Sequence, residues 1–127
     1  MIRKYSSIVA DDEPEFCEIM KGYLEGFGVF KSIIICSNGV DAKFKIMNQD
    51  FDFIMLDLDM PKLDGVGLIE DLIKMKKANP QKIVVCSGNV SGDRIKSILG
   101  LGVKNILTKP LKVEVLKEKV FKLLEIE

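Results

Sequence analysis

The stretch FIMLDLDMPKLDG, residues 53–65, decides the fold class of this chain. Its first four residues form an apolar run that stops at Asp57, which is typical of a strand buried on both faces. The turn-forming pair Asp64-Gly65 then leads into apolar positions at helical spacing, namely Ile69, Leu72 and Ile73. A buried strand followed by an amphipathic helix predicts one strand-helix unit of a parallel sheet.

The same pattern occurs four more times, which predicts an α/β fold: a doubly wound, five-stranded parallel sheet flanked by five helices. The other apolar runs are residues 7–10, 33–36, 83–86 and 106–108. Each precedes a segment whose apolar residues recur at helical spacing, and we expect these faces to pack in the core. They include Phe16, Ile19, Met20, Tyr23, Leu24 and Phe27, then Val40, Phe44 and Met47, then Ile95, Ile98 and Leu99, and finally Leu116, Val120, Leu123 and Leu124.

Length and composition indicate one compact domain over residues 1–127, since 47% of the residues are hydrophobic and 30% are charged. Nineteen basic residues balance nineteen acidic ones, so no basic field favours nucleic acid as a direct partner. The N-terminal residues lack the pattern of a signal peptide and no apolar run approaches the length of a membrane span, so we expect a protein that is neither secreted nor inserted in a membrane. The three cysteines form no metal or disulfide pattern and lie in apolar runs, which indicates reduced core thiols and a cytoplasmic protein.

The chain contains no histidine. This excludes every mechanism that uses imidazole as a base, a nucleophile, or a zinc or haem ligand. Any chemistry must therefore come from carboxylates, lysine, hydroxyls or thiols.

Such groups follow four of the five predicted strands: Asp11 and Asp12, then Asp57, Ser87 and Lys109. Because the carboxyl ends of parallel strands open on one edge of the sheet, we expect these side chains to converge there. Three carboxylates within about 4 Å repel by roughly 4 kcal/mol per pair, so the cluster needs a cation or protons. A divalent metal fits best, and Mg²⁺ takes oxygen ligands. Lysine and serine could hold phosphoryl oxygens, and an aspartate can attack phosphorus.

Four motifs, in this order and spacing, resemble the receiver domains of the response-regulator family, particularly its stand-alone chemotaxis type. The resemblance covers essentially the whole chain and implies a flavodoxin-like fold. The motifs are Asp11-Asp12-Glu13, the run from Asp57 to Gly65, Ser87-Gly88 and Lys109-Pro110.

The resemblance implies a role for each matched residue. Asp57 would be the phosphoacceptor, Lys109 would pair with the phosphoryl group, and Ser87 would switch toward that group. The Lys109-Pro110 peptide bond is expected to be cis. The residues that would hold Mg²⁺ are Asp12, Asp57 and the backbone carbonyl of Asp59, with Asp11 acting through water.

The implied function is a signalling switch of a two-component system. A sensor histidine kinase would donate the phosphoryl group, and the modified domain would change its affinity for a downstream target protein. The domain would catalyse its own Mg²⁺-dependent phosphorylation and slow dephosphorylation without being a turnover enzyme. The output would be a protein contact through the last helices and the fifth strand.

The chain departs from the family's usual pattern at several positions. Ile106 occupies a position that usually holds an aromatic residue in the family, whose side chain rotates when the domain is phosphorylated. In this chain the phosphorylation signal should instead pass through repacking around Val103 and Ile106 or through the loop of residues 88–92. Gly88 replaces the commoner alanine, which should leave that loop looser. The two positions that tune dephosphorylation correspond to Asp59 and Asn89, and an acid at the first adds negative charge beside the site.

Two other functions remain open from the sequence. Asp57-Leu58-Asp59 also resembles the nucleophile motif of haloacid-dehalogenase-like phosphatases, although that motif belongs on a first strand and Pro61 is foreign to it. A receiver-like adaptor that binds partners without phosphorylation is the other alternative. Taken singly, each acidic motif could also be a helix start or a turn.

Overall fold

The fold was determined from a computed structural model, which describes residues 3–89 and 91–126. Strands and helices alternate along the chain, with one short 3₁₀ turn at Pro80–Lys82. The strands are β1 (Tyr5–Ala10), β2 (Phe30–Cys36), β3 (Phe53–Leu56), β4 (Ile83–Ser87) and β5 (Asn105–Thr108). The helices are α1 (Pro14–Gly26), α2 (Gly39–Asn48), α3 (Gly65–Lys74), α4 (Gly92–Gly100) and α5 (Val113–Leu123).

The five strands form one parallel sheet in the order β2-β1-β3-β4-β5, which confirms the predicted fold class. The chain leaves β1 toward β2 on one side and returns to place β3 on the other side. The order therefore reverses between β1 and β3, where Ala10 pairs with Leu56 at the last shared register position. Open α/β sheets bind ligands in the crevice at such a switch point.

Alternate residues of the central strands supply two separate cores, because successive strand side chains point to opposite faces of a sheet. Ile8, Ile54 and Leu56 belong to the cluster that α2, α3 and α4 cover. Val9 and Met55 belong to the cluster that α1 and α5 cover. The central strands are thus buried on both faces, as the continuous apolar runs predict.

The prediction that the apolar helical faces are buried was wrong for four residues. Ile19, Val40, Phe44 and Leu99 are 51%, 47%, 65% and 49% exposed. In α2, Ala42 and Ile46 face the sheet, and a ten-residue helix cannot bury a second apolar stripe against the same surface. Val40 and Phe44 consequently lie on the solvent side.

The three cysteines are free and buried, which confirms that they are core thiols. Burial raises the pKa of Cys17 to about 11 and that of Cys86 to about 12, so both thiols stay protonated at neutral pH. Among the described residues, no helix combines the length and the apolar character needed to cross a bilayer.

Candidate functional site

The sheet carries three of the predicted site residues directly beyond the ends of its strands. The backbone N–H of Asp57 donates to the carbonyl of Ala10 at 3.0 Å, and that of Asp11 donates to Cys36 at 3.0 Å. The N–H of Lys109 donates to the carbonyl of Ser87 at 3.1 Å. Each side chain is therefore anchored by a continuation of the sheet, which fixes its position more firmly than a free loop would.

Four carboxylates meet at this edge. One oxygen from each of Asp11, Asp12, Glu13 and Asp57 lies within 4.8 Å of the others. Asp11 and Asp57 are buried, whereas Asp12 and Glu13 are exposed. The first, second and fourth of these residues were predicted to converge, and the structure adds Glu13, which the sequence placed in a motif but gave no role.

Lys109 is the cation that balances this cluster. Its Nζ lies 2.7 Å from Oδ2 of Asp11, 2.7 Å from Oε1 of Glu13 and 3.6 Å from Oδ2 of Asp57. It also lies 4.3 Å from the centre of the Phe16 ring, at cation–π distance. Burial opposes the charged ammonium, but the carboxylates of Asp11 and Glu13 outweigh burial and hold the pKa of Lys109 above its ordinary value.

Asp11 is the most deeply buried carboxylate of the cluster. Burial raises its pKa above the ordinary value, while contacts with Lys109 and with the Glu13 N–H act in the opposite direction. Its Oδ2 is completely buried, and among the described residues the Lys109 ammonium at 2.7 Å is the close polar group that faces this oxygen. A buried carboxylate oxygen that shares one lysine with two other acids of a four-carboxylate cluster fits an oxygen-seeking divalent cation.

Ser87 lies at the same edge, but its hydroxyl turns toward its own loop. It is completely buried, and its Oγ accepts a hydrogen bond from the N–H of Asn89 at 3.3 Å. Within residues 3–89 and 91–126, no hydrogen bond joins Ser87 to Asp57. The lysine that follows β5 does carry the predicted cis peptide bond to Pro110.

Asp59 lies apart from the four-carboxylate cluster. Its N–H donates to Oδ1 of Asp57 at 3.3 Å, but its own side chain forms a salt bridge with Arg94 at 3.0 Å. The proposed role of Asp59 through its backbone carbonyl remains a prediction. Sequence reasoning missed Arg94, because a single arginine in a short polar helix gives no local sign of a partner on a different loop.

The loop after β3 is held to the start of α3 by a close backbone approach. The N–H of Gly65 donates to the carbonyl of Leu58 at 2.9 Å. Asp64 caps the helix by accepting a hydrogen bond from the N–H of Gly67 at 2.8 Å. A Cβ at Gly65 would overlap the backbone of Asp57 and Leu58, so only glycine allows this approach.

The parallel sheet, with an acidic cluster and a paired lysine at its switch point, defines the class of protein: an open α/β domain with a charged crevice at the carboxyl ends of its strands. The family model "Response regulator receiver domain" matches residues 8–121, and the chain belongs to this family. It is the receiver domain of a two-component response regulator. This assignment does not favour the phosphatase alternative.

Relatives of known identity agree with this assignment. The chain is 31% identical to the chemotaxis protein CheY of Treponema pallidum over 101 residues, which is 80% of this chain and 68% of CheY. It is 28% identical to the transcriptional regulatory protein ZraR of Salmonella typhimurium over 98% of this chain, but spans only 27% of ZraR. The receiver domain of Francisella response regulator 1452 superposes with a TM-score of 0.84 at 28% identity, over 96% of this chain and 98% of that one.

Proposed function

We propose that this domain accepts a phosphoryl group on Asp57 from a histidine kinase and then changes its affinity for a target protein. The observation that carries the proposal is the position of the Asp57 carboxylate. It is buried at the end of β3, it belongs to the four-carboxylate cluster, and it lies 3.6 Å from the ammonium of Lys109. A nucleophile, a cation to neutralise the incoming group and oxygen ligands for a metal are thus present within one crevice.

In the proposed reaction a carboxylate oxygen of Asp57 attacks the phosphorus atom. The new oxygen–phosphorus bond forms as the bond between phosphorus and the imidazole nitrogen of the donor breaks, and that nitrogen leaves with the bonding electrons. Lys109 would move from its present carboxylate partners to the phosphoryl oxygens. The Ser87 hydroxyl would then turn from Asn89 toward the same group.

The carboxylate cluster supports Mg²⁺ as the metal. Asp12 and Asp57 would hold it directly with the backbone carbonyl of Asp59, and Asp11 would act through water. When bound, Mg²⁺ offsets the negative charge of the carboxylates and of the phosphoryl oxygens.

The donor and the target are both proposed to be other proteins. The chain has no histidine and therefore cannot be its own phosphohistidine donor, so the donor would be a histidine kinase. Its zero net charge does not favour DNA as a direct partner of this domain, and its buried reduced thiols support a cytoplasmic location.

Ile106 indicates the route by which the signal leaves the site. It is partly buried and packs against the same core cluster that contains Val103. We propose that movement of the Ser87 loop repacks this cluster under α4 and β5, in place of the rotation of an aromatic ring. The target would then bind the surface of β5 and the last two helices.

The direct test is to incubate the protein with Mg²⁺ and acetyl phosphate and to measure its intact mass. We expect a single Mg²⁺-dependent phosphoryl adduct in the wild-type protein and none in Asp57→Asn. A folded protein that binds Mg²⁺ but gains no adduct would favour the phosphorylation-independent adaptor. Continuous turnover of a phosphate monoester would instead favour a phosphatase.

Mg²⁺ is expected to stabilise the folded domain, since the unfolded chain lacks the converged carboxylates. At a concentration ten times its Kd the ion should add about 1.4 kcal/mol to the free energy of unfolding. Asp12→Asn should lose most of this gain, whereas Glu70→Gln, on an exposed position of α3, should keep it. Thermal unfolding with and without Mg²⁺ measures the effect, and equal gains in both variants would refute this cation site.

A further inference from the structure

Arg94, in the first turn of α4, connects the loop that follows β3 with the loop that follows β4. One guanidinium nitrogen lies 3.0 Å from Oδ1 of Asp59. Another donates a hydrogen bond to the backbone carbonyl of Asn89 at 3.1 Å. One side chain therefore ties the loop after β3 to the loop after β4.

The second of these contacts also bears on the Ser87 hydroxyl. Asn89 offers its carbonyl to Arg94 and donates its N–H to Oγ of Ser87 at 3.3 Å. An unbroken series of contacts therefore leads from Asp59 through Arg94 and Asn89 to Ser87. If Asn89 is held in place, the hydrogen-bond partner of the Ser87 hydroxyl is held as well.

We propose that Arg94 is a positioning residue. Its contacts with Asp59 and Asn89, together called the latch, keep the loop after β4 in its resting position and compensate the charge of Asp59. This inference rests on the proposed function and adds to it a residue outside the site that controls how readily Asp57 reacts. An arginine suits this task, because its planar fork reaches two acceptors at once, whereas a lysine presents one point charge. The side chains of Arg94 and Asp59 are 25% and 58% exposed, and ion pairs in such positions contribute little to folding stability.

The latch has two measurable consequences. When it is removed, the Ser87 loop should open more often and the hydroxyl should turn toward Asp57 more readily, so a small phosphoryl donor should react several-fold faster. Asp59 should also lose its counter-ion, and the added negative charge beside the cluster should tighten Mg²⁺ binding by about threefold.

The test compares Arg94→Met and Arg94→Lys with Lys96→Met, an exposed position two residues further along α4. The first readout is amide hydrogen exchange of Ser87, Gly88 and Asn89 in the unphosphorylated protein, and the second is the Kd for Mg²⁺ from calorimetric titration. Arg94→Met should speed exchange several-fold and tighten Mg²⁺ binding. Arg94→Lys should also speed exchange, yet keep the Mg²⁺ affinity of the wild type, because it retains the charge but not the fork.

A further variant separates the latch from a general effect of α4. Asp59→Asn removes the ionic partner, so it should also speed exchange, and adding Arg94→Met to it should change exchange by less than the sum of the two separate effects. Unchanged exchange in Arg94→Met, or the same increase in Lys96→Met, would overturn the latch. Neither readout needs a phosphoryl group, so absence of an adduct on Asp57 would refute the proposed function without deciding the role of Arg94.

Discussion

Replacing Lys109 with methionine is expected to slow phosphoryl transfer to Asp57 by about 100- to 1,000-fold. The lysine is the cation that contacts both buried acids of the cluster, at 2.7 Å from Asp11 and 3.6 Å from Asp57. Methionine preserves most of the apolar stem and removes the charge. The loss should therefore appear in the reaction rate with acetyl phosphate at saturating Mg²⁺.

The same substitution should strengthen Mg²⁺ binding while it slows phosphoryl transfer. These opposite effects distinguish an electrostatic role of Lys109 from a structural one. A positive charge close to the ligand oxygens repels a divalent cation, so removing it should lower the Kd for Mg²⁺ by about tenfold. A purely structural role for Lys109 would instead weaken binding and transfer together. Lys104→Met, at an exposed position before β5, is the matched control and should leave both quantities unchanged.

Gly65→Ala is expected to lower the free energy of unfolding by about 2–3 kcal/mol. The added Cβ would overlap the carbonyl oxygen of Asp57 and the Cα of Leu58, which are backbone atoms that cannot turn aside as a side chain could. Relief requires α3 to move away from the end of β3, which breaks the 2.9 Å hydrogen bond from Gly65 to Leu58. The displacement should also shift Asp57 and weaken Mg²⁺ binding.

Gly22→Ala provides the contrast within the same protein. Gly22 lies inside α1, where an added Cβ meets no atom within 4 Å. Because glycine is unfavourable within helices, this substitution should stabilise the domain by about 0.5–1 kcal/mol. Urea denaturation of both variants measures the difference, and a Gly65→Ala protein as stable as the wild type would show that the backbone approach does not constrain the site.

The sequence alone determined the fold class and the edge of the sheet that carries the site. Both follow from local information, because apolar runs and helical spacing specify strand-helix units, and parallel strands must open on the same side. The convergence of Asp11, Asp12 and Asp57 was therefore predictable. So was the presence of Lys109 beside them.

Only the tertiary structure decided which side chains meet across loops and which helical face is buried. Three contacts depend on the conformations of loops, which no periodic pattern in the sequence predicts. They are the salt bridge between Asp59 and Arg94, the salt bridge between Glu13 and Lys109, and the hydrogen bond between Ser87 and Asn89. Phe44 is exposed for a related reason. Helix α2 has two apolar stripes, and the one that contains Ala42 and Ile46 packs against the sheet, which leaves Phe44 in solvent. The spacing of apolar residues in the sequence shows that a helix or strand has an apolar face. What that face and the neighbouring loops contact depends on how the helices and strands are arranged in the folded domain.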